Sequence, residues 1–258
     1  ILVGSRPFRD DKESELVKLN IMKLINEKYG IVEKDFLTAE LEAVPAFKAR
    51  DIGFDRSLIG AYGHDDRVCA YPSYKAIEAT GQVKYTSVCL LVDKEEIGSV
   101  GATGMESKFF ENTVAEVMHA SGAYNELLLR RALKNSQMLS SDVSAAFDPN
   151  YPEVMEKNNA AYLGHGLTFN KYTGSRGKSG SNDANPEYIA KLRRIMEENN
   201  VSFQTAELGK VDVGGGGTIA YILARYDMEV IDSGVAVLNM HAPWEIASKA
   251  DIYEAFLG

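Results

Sequence analysis

Strand-like apolar runs that end in acidic or histidine-bearing segments constrain the fold of this chain more than any other sequence feature. The runs and the polar residues after them are 87–92 with Glu95 and Glu96, 137–139 with Asp142, and 234–238 with Met240 and His241. In an open α/β sheet, ligands bind beyond the carboxyl ends of the strands. Residues far apart in the sequence are therefore expected to converge at one edge of a sheet.

Hydrophobic periodicity predicts an α/β layered domain, because helical and strand-like stretches alternate after about residue 58. The predicted helices are 10–30, 67–80, 108–133 with a break near Ser121-Gly122, 186–199 with Asn185 as cap, and 218–225. The predicted strands are 36–44, 87–92, 137–139, 228–231 and 234–238.

Composition excludes several classes of function. The formal net charge is −9 and no basic stripe is visible, which argues against a nucleic-acid partner. The apolar runs are shorter than ten residues, so no membrane span is predicted. Cys69 and Cys89 are far apart in apolar surroundings, which predicts two reduced thiols in a cytoplasmic protein.

Two Asp, two adjacent Glu and one His form a donor set that suits Zn²⁺, with one carboxylate left as a base. Asp65 and Asp66 precede a predicted helix. A carboxylate at such a junction either bridges two metal ions or caps the N-terminus of the helix. Glu95 and Glu96 follow a predicted strand, where neighbouring side chains point to opposite sides. One carboxylate would then bind a metal ion while the other acts as a general base. The alternative is a solvated turn. His241 is either a ligand or a hydrogen-bonded core residue.

Two glycine-rich segments resemble nucleotide-binding motifs only in part. Residues 174–179 fail the phosphate-loop pattern, because Tyr172 occupies the place of the required glycine. Residues 215–220 fit G-x-G-x-x-A, and Asp232 follows at the end of a predicted strand. About 40 residues remain after that motif, too few for the second half of a dinucleotide-binding fold.

Six segments together resemble the aspartyl aminopeptidase and vacuolar aminopeptidase I family of dinuclear zinc exopeptidases, particularly its bacterial members. The resemblance covers nearly all 258 residues. The segments are GAYGHDDRVCAY, LLVDKEEIGSVGATG, SSDVSAAFDPNY, GKSGSNDANPEY, ELGKVDVGGGGTIAYILA and VLNMHAPWEIASKADIY.

The resemblance implies a role for each polar residue. Asp65 would bridge two zinc ions, Glu96 and His241 would complete the site of one ion, and Asp142 would bind the other. Glu95 would be the general base.

Further implications concern the residues around the ions and the fold. Asp66 lies where the family often has Asn, and Gly216 and Met240 would border the substrate pocket. The family fold is a three-layer α/β zinc-exopeptidase domain, a central mixed sheet flanked by helices, interrupted by a smaller β-rich oligomerisation domain. Residues 1–57 would be the tail of that insert and 58–258 the catalytic domain.

The sequence departs from the family pattern at two places. Ala145 and Asp148 occupy positions after Asp142 where the family often has His. The family also has a zinc-binding His-x-Asp motif upstream of its insert, but no His precedes His64 here. Either the chain lacks an upstream portion or a ligand has been lost. The first residues, ILVG without an initiator Met, favour the first explanation.

The expected function is a cytoplasmic, zinc-dependent aminopeptidase that acts on peptides and assembles into a homo-oligomer, a dodecamer by resemblance. Two Zn²⁺ ions are expected in each intact subunit. The alternatives are another dinuclear metal amidohydrolase, or a non-catalytic assembly subunit that keeps the fold.

Overall fold

The computed structural model describes residues 2–9, 15–176, 178–210 and 212–258. The chain divides into two compact units, Ile1–Pro45 and Ala46–Gly258. The first unit contains helix α1 (Leu16–Tyr29), which ends at Gly30 in a left-handed conformation with φ 72°. This end agrees with the predicted glycine stop. Residues 10–14 of the predicted helix lie outside the described part of the chain.

The predicted strand 36–44 is wrong. A short 3-10 helix, Glu33–Leu37, occupies its beginning, and the Asp35 carboxylate stabilises that turn by accepting a hydrogen bond from the backbone N–H of Val32 (2.8 Å). The remaining residues pair with no strand in the part of the chain that the structure describes. Alternating hydrophobicity was insufficient because a strand also needs a hydrogen-bonded neighbour.

The second unit contains three sheets among the described residues. The first has the order β1 (Arg50–Ile52), β2 (Leu58–Ala61), β11 (Glu245–Ser248), β10 (Ala236–Leu238) and β4 (Ser144–Ala145). The second has the order β3 (Gln137–Ser141), β9 (Glu229–Gly234), β5 (Leu167–Asn170) and β8 (Phe203–Thr205). The third is the hairpin of β6 (Tyr172–Ser175) and β7 (Ser179–Asp183). The first two sheets are mixed, because the pairs β3–β9, β5–β8 and β4–β10 are parallel and their other pairs are antiparallel, whereas the hairpin is antiparallel.

Six α-helices accompany these sheets in the described residues of the second unit. They are α2 (His64–Ala79), α3 (Phe109–Ala120), α4 (Glu126–Lys134), α5 (Pro186–Glu198), α6 (Ala220–Ala224) and α7 (Lys249–Leu257). The predicted break near residues 121–122 is confirmed, since Gly122 has φ 73° between α3 and α4. Asn185 does not cap α5 with its side chain, because its amide donates to the Glu229 carboxylate instead.

The predicted strand 87–92 is also wrong. These residues pair with no strand in the described ranges, and only an isolated bridge between Asp93 and Gly104 follows them. They line a cavity of about 780 Å³ together with residues of α2 and β3. Val88 and Leu91 are 61% and 62% exposed. The apolar segment therefore lines this cavity and does not pair with a neighbouring strand.

A small apolar cluster lies beside the segments that carry Asp65, Asp142 and His241, and it contains no residue of the turn that carries Glu96. It contains residues from the start of α2, the ends of β3 and β9, and β10 and β11, namely Val68, Cys69, Val143, Val235, Val237 and Ala247. Cys69 is buried, Cys89 is partly buried, and both are free thiols. Among the described helices, none combines the length and apolarity that a membrane crossing requires.

Candidate metal centre

The structure brings Asp65, Glu96 and His241 together from three separate segments. Asp65 lies at the start of α2, Glu96 in the 3-10 turn Glu95–Ile97, and His241 in the turn after β10. His241 Nε2 is 3.0 Å from Asp65 Oδ2 and 3.2 Å from Glu96 Oε1. The three ligand atoms all lie within 4.8 Å of one another. One imidazole and two carboxylates are a suitable donor set for Zn²⁺.

A second group shares Asp65 and adds Asp66 and Asp142, again with ligand atoms within 4.8 Å of one another. Asp142 follows β3 directly, as the sequence predicts. Asp66 was not predicted as a ligand, yet its Oδ1 atom is buried without a hydrogen-bond partner. A buried carboxylate oxygen without a partner is costly. A cation would satisfy it, so the second group also fits a metal ion by its chemistry.

Burial and mutual repulsion make these carboxyl groups hard to ionise in the absence of a cation. Burial, followed by the charge of Glu96, raises the pKa of Asp65 to about 6. Burial, with a smaller contribution from Asp65, raises the pKa of Asp66 to about 8. The pKa of Asp142 is raised well above its usual range by burial and then by Asp66 and Asp65. A bound cation reverses this repulsion, since opposite charge favours the ionised form.

Glu95 and Glu96 have different surroundings, although the extended backbone predicted for them is wrong. They form a tight turn between Lys94 (φ 67°) and Gly98 (φ 90°). Glu96 has a side chain that is 58% exposed and contacts His241. Glu95 is partly buried, and its pKa is raised by burial, then by Glu96 and Asp65. A carboxylate with a raised pKa beside a metal group has the properties of a general base.

The geometry bears on the structural alternatives for the predicted ligands. Gly63 precedes α2 at its first cap position, but Asp65 (φ −78°, ψ 108°) and Asp66 (φ −114°, ψ 30°) interrupt the helix, and such non-helical angles are those of a residue that caps a helix, so the backbone is compatible with capping at Asp65. The side chain of His241 is 60% exposed, so His241 is not a core residue. Glu96 contacts His241, which distinguishes it from a carboxylate in a purely solvated turn.

The other histidines and the predicted pocket residues have separate environments. His64 is buried and bonds through Nε2 to the Ile59 carbonyl at 3.0 Å. His119 lies within α3, and His165 is exposed. Gly216 accepts a backbone hydrogen bond from Gly174 (3.0 Å), and Met240 packs on the apolar cluster below the centre. The substrate contacts of Gly216 and Met240 stay predictions.

Sequence reasoning also missed Glu245, the first residue of β11, which is only 2% exposed. Its carboxylate accepts hydrogen bonds from the backbone N–H groups of Asp65 and His241. The available signal was a charged residue at the beginning of an apolar strand, four positions after the predicted ligand His241.

Comparison with known families identifies the family of this chain. The family model for aminopeptidase I zinc metalloproteases, M18, matches residues 2–257. The chain belongs to this family. As an M18 member it is 70% identical over 254 residues to a probable M18 family aminopeptidase 1 of Clostridium acetobutylicum, covering 98% of this chain and 55% of that protein. A Thermotoga maritima relative of the same description is 46% identical over 258 residues, covering 100% and 57%.

Solved structures confirm the mixed α/β zinc-exopeptidase fold of this M18 chain. The crystal structure of aminopeptidase I from C. acetobutylicum matches with a TM-score of 0.91 and 67% identity, covering 100% of this chain and 55% of that one. The S. cerevisiae mApe1 dodecamer matches with a TM-score of 0.68 and 22% identity, covering 93% and 54%, and shows likeness of fold alone. The chain therefore spans about half the length of the relatives it matches.

Proposed function

We propose that this M18 chain carries the metal-binding and proton-transferring residues of an aminopeptidase that releases N-terminal residues from peptides. The observation that carries the proposal is the convergence of Asp65, Glu96 and His241 beside the partly buried Glu95. These residues come from three chain segments, and their shared position provides a cation site and a neighbouring base. Family membership supplies the class of reaction.

The proposed roles follow from the surroundings of each side chain. Asp65, Glu96 and His241 would hold one Zn²⁺, and Asp65 with Asp142 would hold the second. When bound, zinc polarises the substrate carbonyl and makes water a better nucleophile near neutral pH. Glu95 accepts a proton from the attacking water and passes it to the departing amine, because its raised pKa allows both steps.

The count of two ions rests on the two overlapping groups. Asp65 belongs to both groups, so it is the carboxylate that would be shared by two ions if both groups were filled. Asp66, which also belongs to the second group, supplies one more oxygen there. The second group contains carboxylates alone, whereas the first contains an imidazole.

We also propose that the intact protein forms a homo-oligomer and acts in the cytoplasm. The assembly proposal is supported by the dodecamer reported for the structural relative mApe1. Sedimentation of the intact protein should give a species several times heavier than one subunit, and a stable monomer would refute the assembly. The cytoplasmic location rests on the two free thiols and is tested by fractionating cells.

The roles of the adjacent glutamates provide the test of the proposed reaction. Glu96→Gln should lose zinc, because a neutral amide is a weaker partner for Zn²⁺ than a carboxylate. Glu95→Gln should keep zinc while kcat falls by about 10²–10⁴-fold and KM changes little. The matched control is Glu126→Gln, since Glu126 is 61% exposed, forms an ion pair with the exposed Arg130 and belongs to neither metal group found among the described residues.

Free and N-terminally blocked peptides are assayed with the same variants. Turnover of free peptides alone supports an aminopeptidase, and turnover of blocked peptides identifies an amidase or deacylase instead. Absence of turnover in a zinc-loaded wild-type protein would support a non-catalytic subunit. Near-normal kcat in Glu95→Gln would refute the assignment of the base, and full zinc content in Glu96→Gln would refute the assignment of the ligand.

A further inference from the structure

Glu245 hydrogen-bonds to two of the three segments that carry the proposed zinc ligands. Its Oε1 accepts a hydrogen bond from the backbone N–H of His241 at 2.9 Å. Its Oε2 accepts one from the backbone N–H of Asp65 at 3.2 Å. Asp65 and Glu245 are separated by 180 residues in the sequence. One carboxylate therefore links the start of α2 to the turn after β10.

The position of Glu245 is itself fixed by the sheet. It is the first residue of β11, which lies between β10 and β2, and it pairs with Ala61 of β2. The side chain is almost completely buried, and both carboxylate oxygens accept backbone N–H groups. A buried carboxylate is tolerated where its oxygens are hydrogen-bonded. Its attachment to a central strand makes it a rigid reference point for both ligand segments.

The turn that presents His241 needs such a restraint. Asn239 and His241 both have left-handed backbone angles, with φ of 60° and 64°. Residues other than glycine adopt this conformation at a cost and keep it where surrounding contacts enforce it. The hydrogen bond from the His241 N–H to Glu245 is a contact of that kind. Without this hydrogen bond, the turn is less restrained and holds the His241 imidazole beside Asp65 less firmly.

We propose that Glu245 is a positioning residue that sets the separation of Asp65 and His241 and thereby the affinity of the centre for zinc. It belongs to neither group of potential ligands found among the described residues. It therefore acts through the backbone of two ligand-bearing residues instead of through the metal ion. The inference rests on the proposed function, because it assumes that Asp65 and His241 bind zinc.

A buried carboxylate elsewhere in the chain provides a matched control. Asp251 in α7 is fully buried, and its two oxygens accept the backbone N–H groups of Gly164 (2.7 Å) and Gly166 (2.8 Å). It thus makes the same two types of hydrogen bond as Glu245, but to residues outside both metal groups. Asp251→Asn reports what the loss of such a carboxylate does to the fold alone.

The experiment compares zinc affinity in the wild type, Glu245→Gln and Asp251→Asn by competition with a fluorescent chelator. Glu245→Gln keeps one acceptor oxygen of two, so zinc should bind about 10–100-fold more weakly, the usual effect of removing a group that orients a ligand. Asp251→Asn should bind zinc like the wild type, even if its metal-free form melts earlier. The absorption spectrum of bound Co²⁺ should change in Glu245→Gln and stay unchanged in Asp251→Asn.

The results separate failure of the positioning role of Glu245 from failure of the proposed zinc site. Wild-type zinc affinity in Glu245→Gln, or an equal loss in both variants, would overturn the positioning role while leaving the zinc site intact. A wild-type chain that binds no zinc would overturn the proposed function and this inference with it. If circular dichroism in EDTA shows that Glu245→Gln does not fold, Glu245→Asp replaces it. That variant keeps the charge but is one methylene shorter, and wild-type affinity in it would overturn the role.

Discussion

Replacing Gly234 with alanine should disturb the metal centre through a single steric clash. A Cβ atom at Gly234 would lie 1.7 Å from the carbonyl oxygen of Asp142 and 3.2 Å from the sulfur of Cys69. Ordinary non-bonded contacts of carbon are about 3.5–4.0 Å. The end of β9 and the Asp142 backbone must therefore separate by nearly 2 Å, a shift estimated from that contact distance.

Overpacking of a well-packed interior costs about 1–3 kcal/mol, and this clash involves backbone on both sides, so we expect the upper end of that range. Urea denaturation in EDTA measures the free energy of unfolding. Zinc titration measures how much zinc binding is lost at the group that contains Asp142. Gly81→Ala is the control, because nothing lies within 4 Å of a Cβ there and its backbone needs no glycine. Equal unfolding free energies for Gly234→Ala and the wild type would refute the close approach of these strands.

Three further outcomes follow from the same centre. In EDTA, the free energy of unfolding of the wild type should fall as pH rises from about 4 toward 8, because the folded form holds the Asp66 proton more tightly than the unfolded form. Asp66→Asn should remove part of that decline, and identical pH profiles of the two proteins would contradict this cause. Zinc titration should show unequal occupancy, with the group containing His241 filled first, and two equally tight ions would contradict this order. EDTA should lower the melting temperature of the zinc-loaded wild type more than that of His241→Ala loaded in the same way, because the variant keeps only the group of carboxylates, and equal shifts would show that zinc does not bind at His241.

The sequence was sufficient to predict the segments that meet, because their order follows general rules of α/β folds. Asp142 follows a parallel strand, and His241 follows β10, as the hydrophobic runs indicated. The glycine that ends α1 and the break between α3 and α4 are local signals and were found as well. The structure brings these residues together as expected, but not at the edge of one sheet, because β3 and β10 belong to different sheets and Glu96 directly follows no strand among the described residues.

The features that sequence reasoning missed depend on contacts between distant residues. The run 87–92 looked like a strand, but pairing depends on a neighbour that hydrophobicity does not reveal. The buried, unpartnered oxygen of Asp66 depends on the packing around the start of α2. Glu245 gave a weak signal because a single Glu before an apolar strand is common, and its importance depends on Asp65, 180 residues away.

Zinc can be located directly in a crystal of this chain grown with Zn²⁺, using anomalous scattering at the zinc absorption edge. We expect a strong peak whose nearest side chains are Asp65, Glu96 and His241, with any weaker second peak toward Asp142. A crystal with no peak among these three residues, or with its main peak at other side chains, would refute the proposal that they bind zinc.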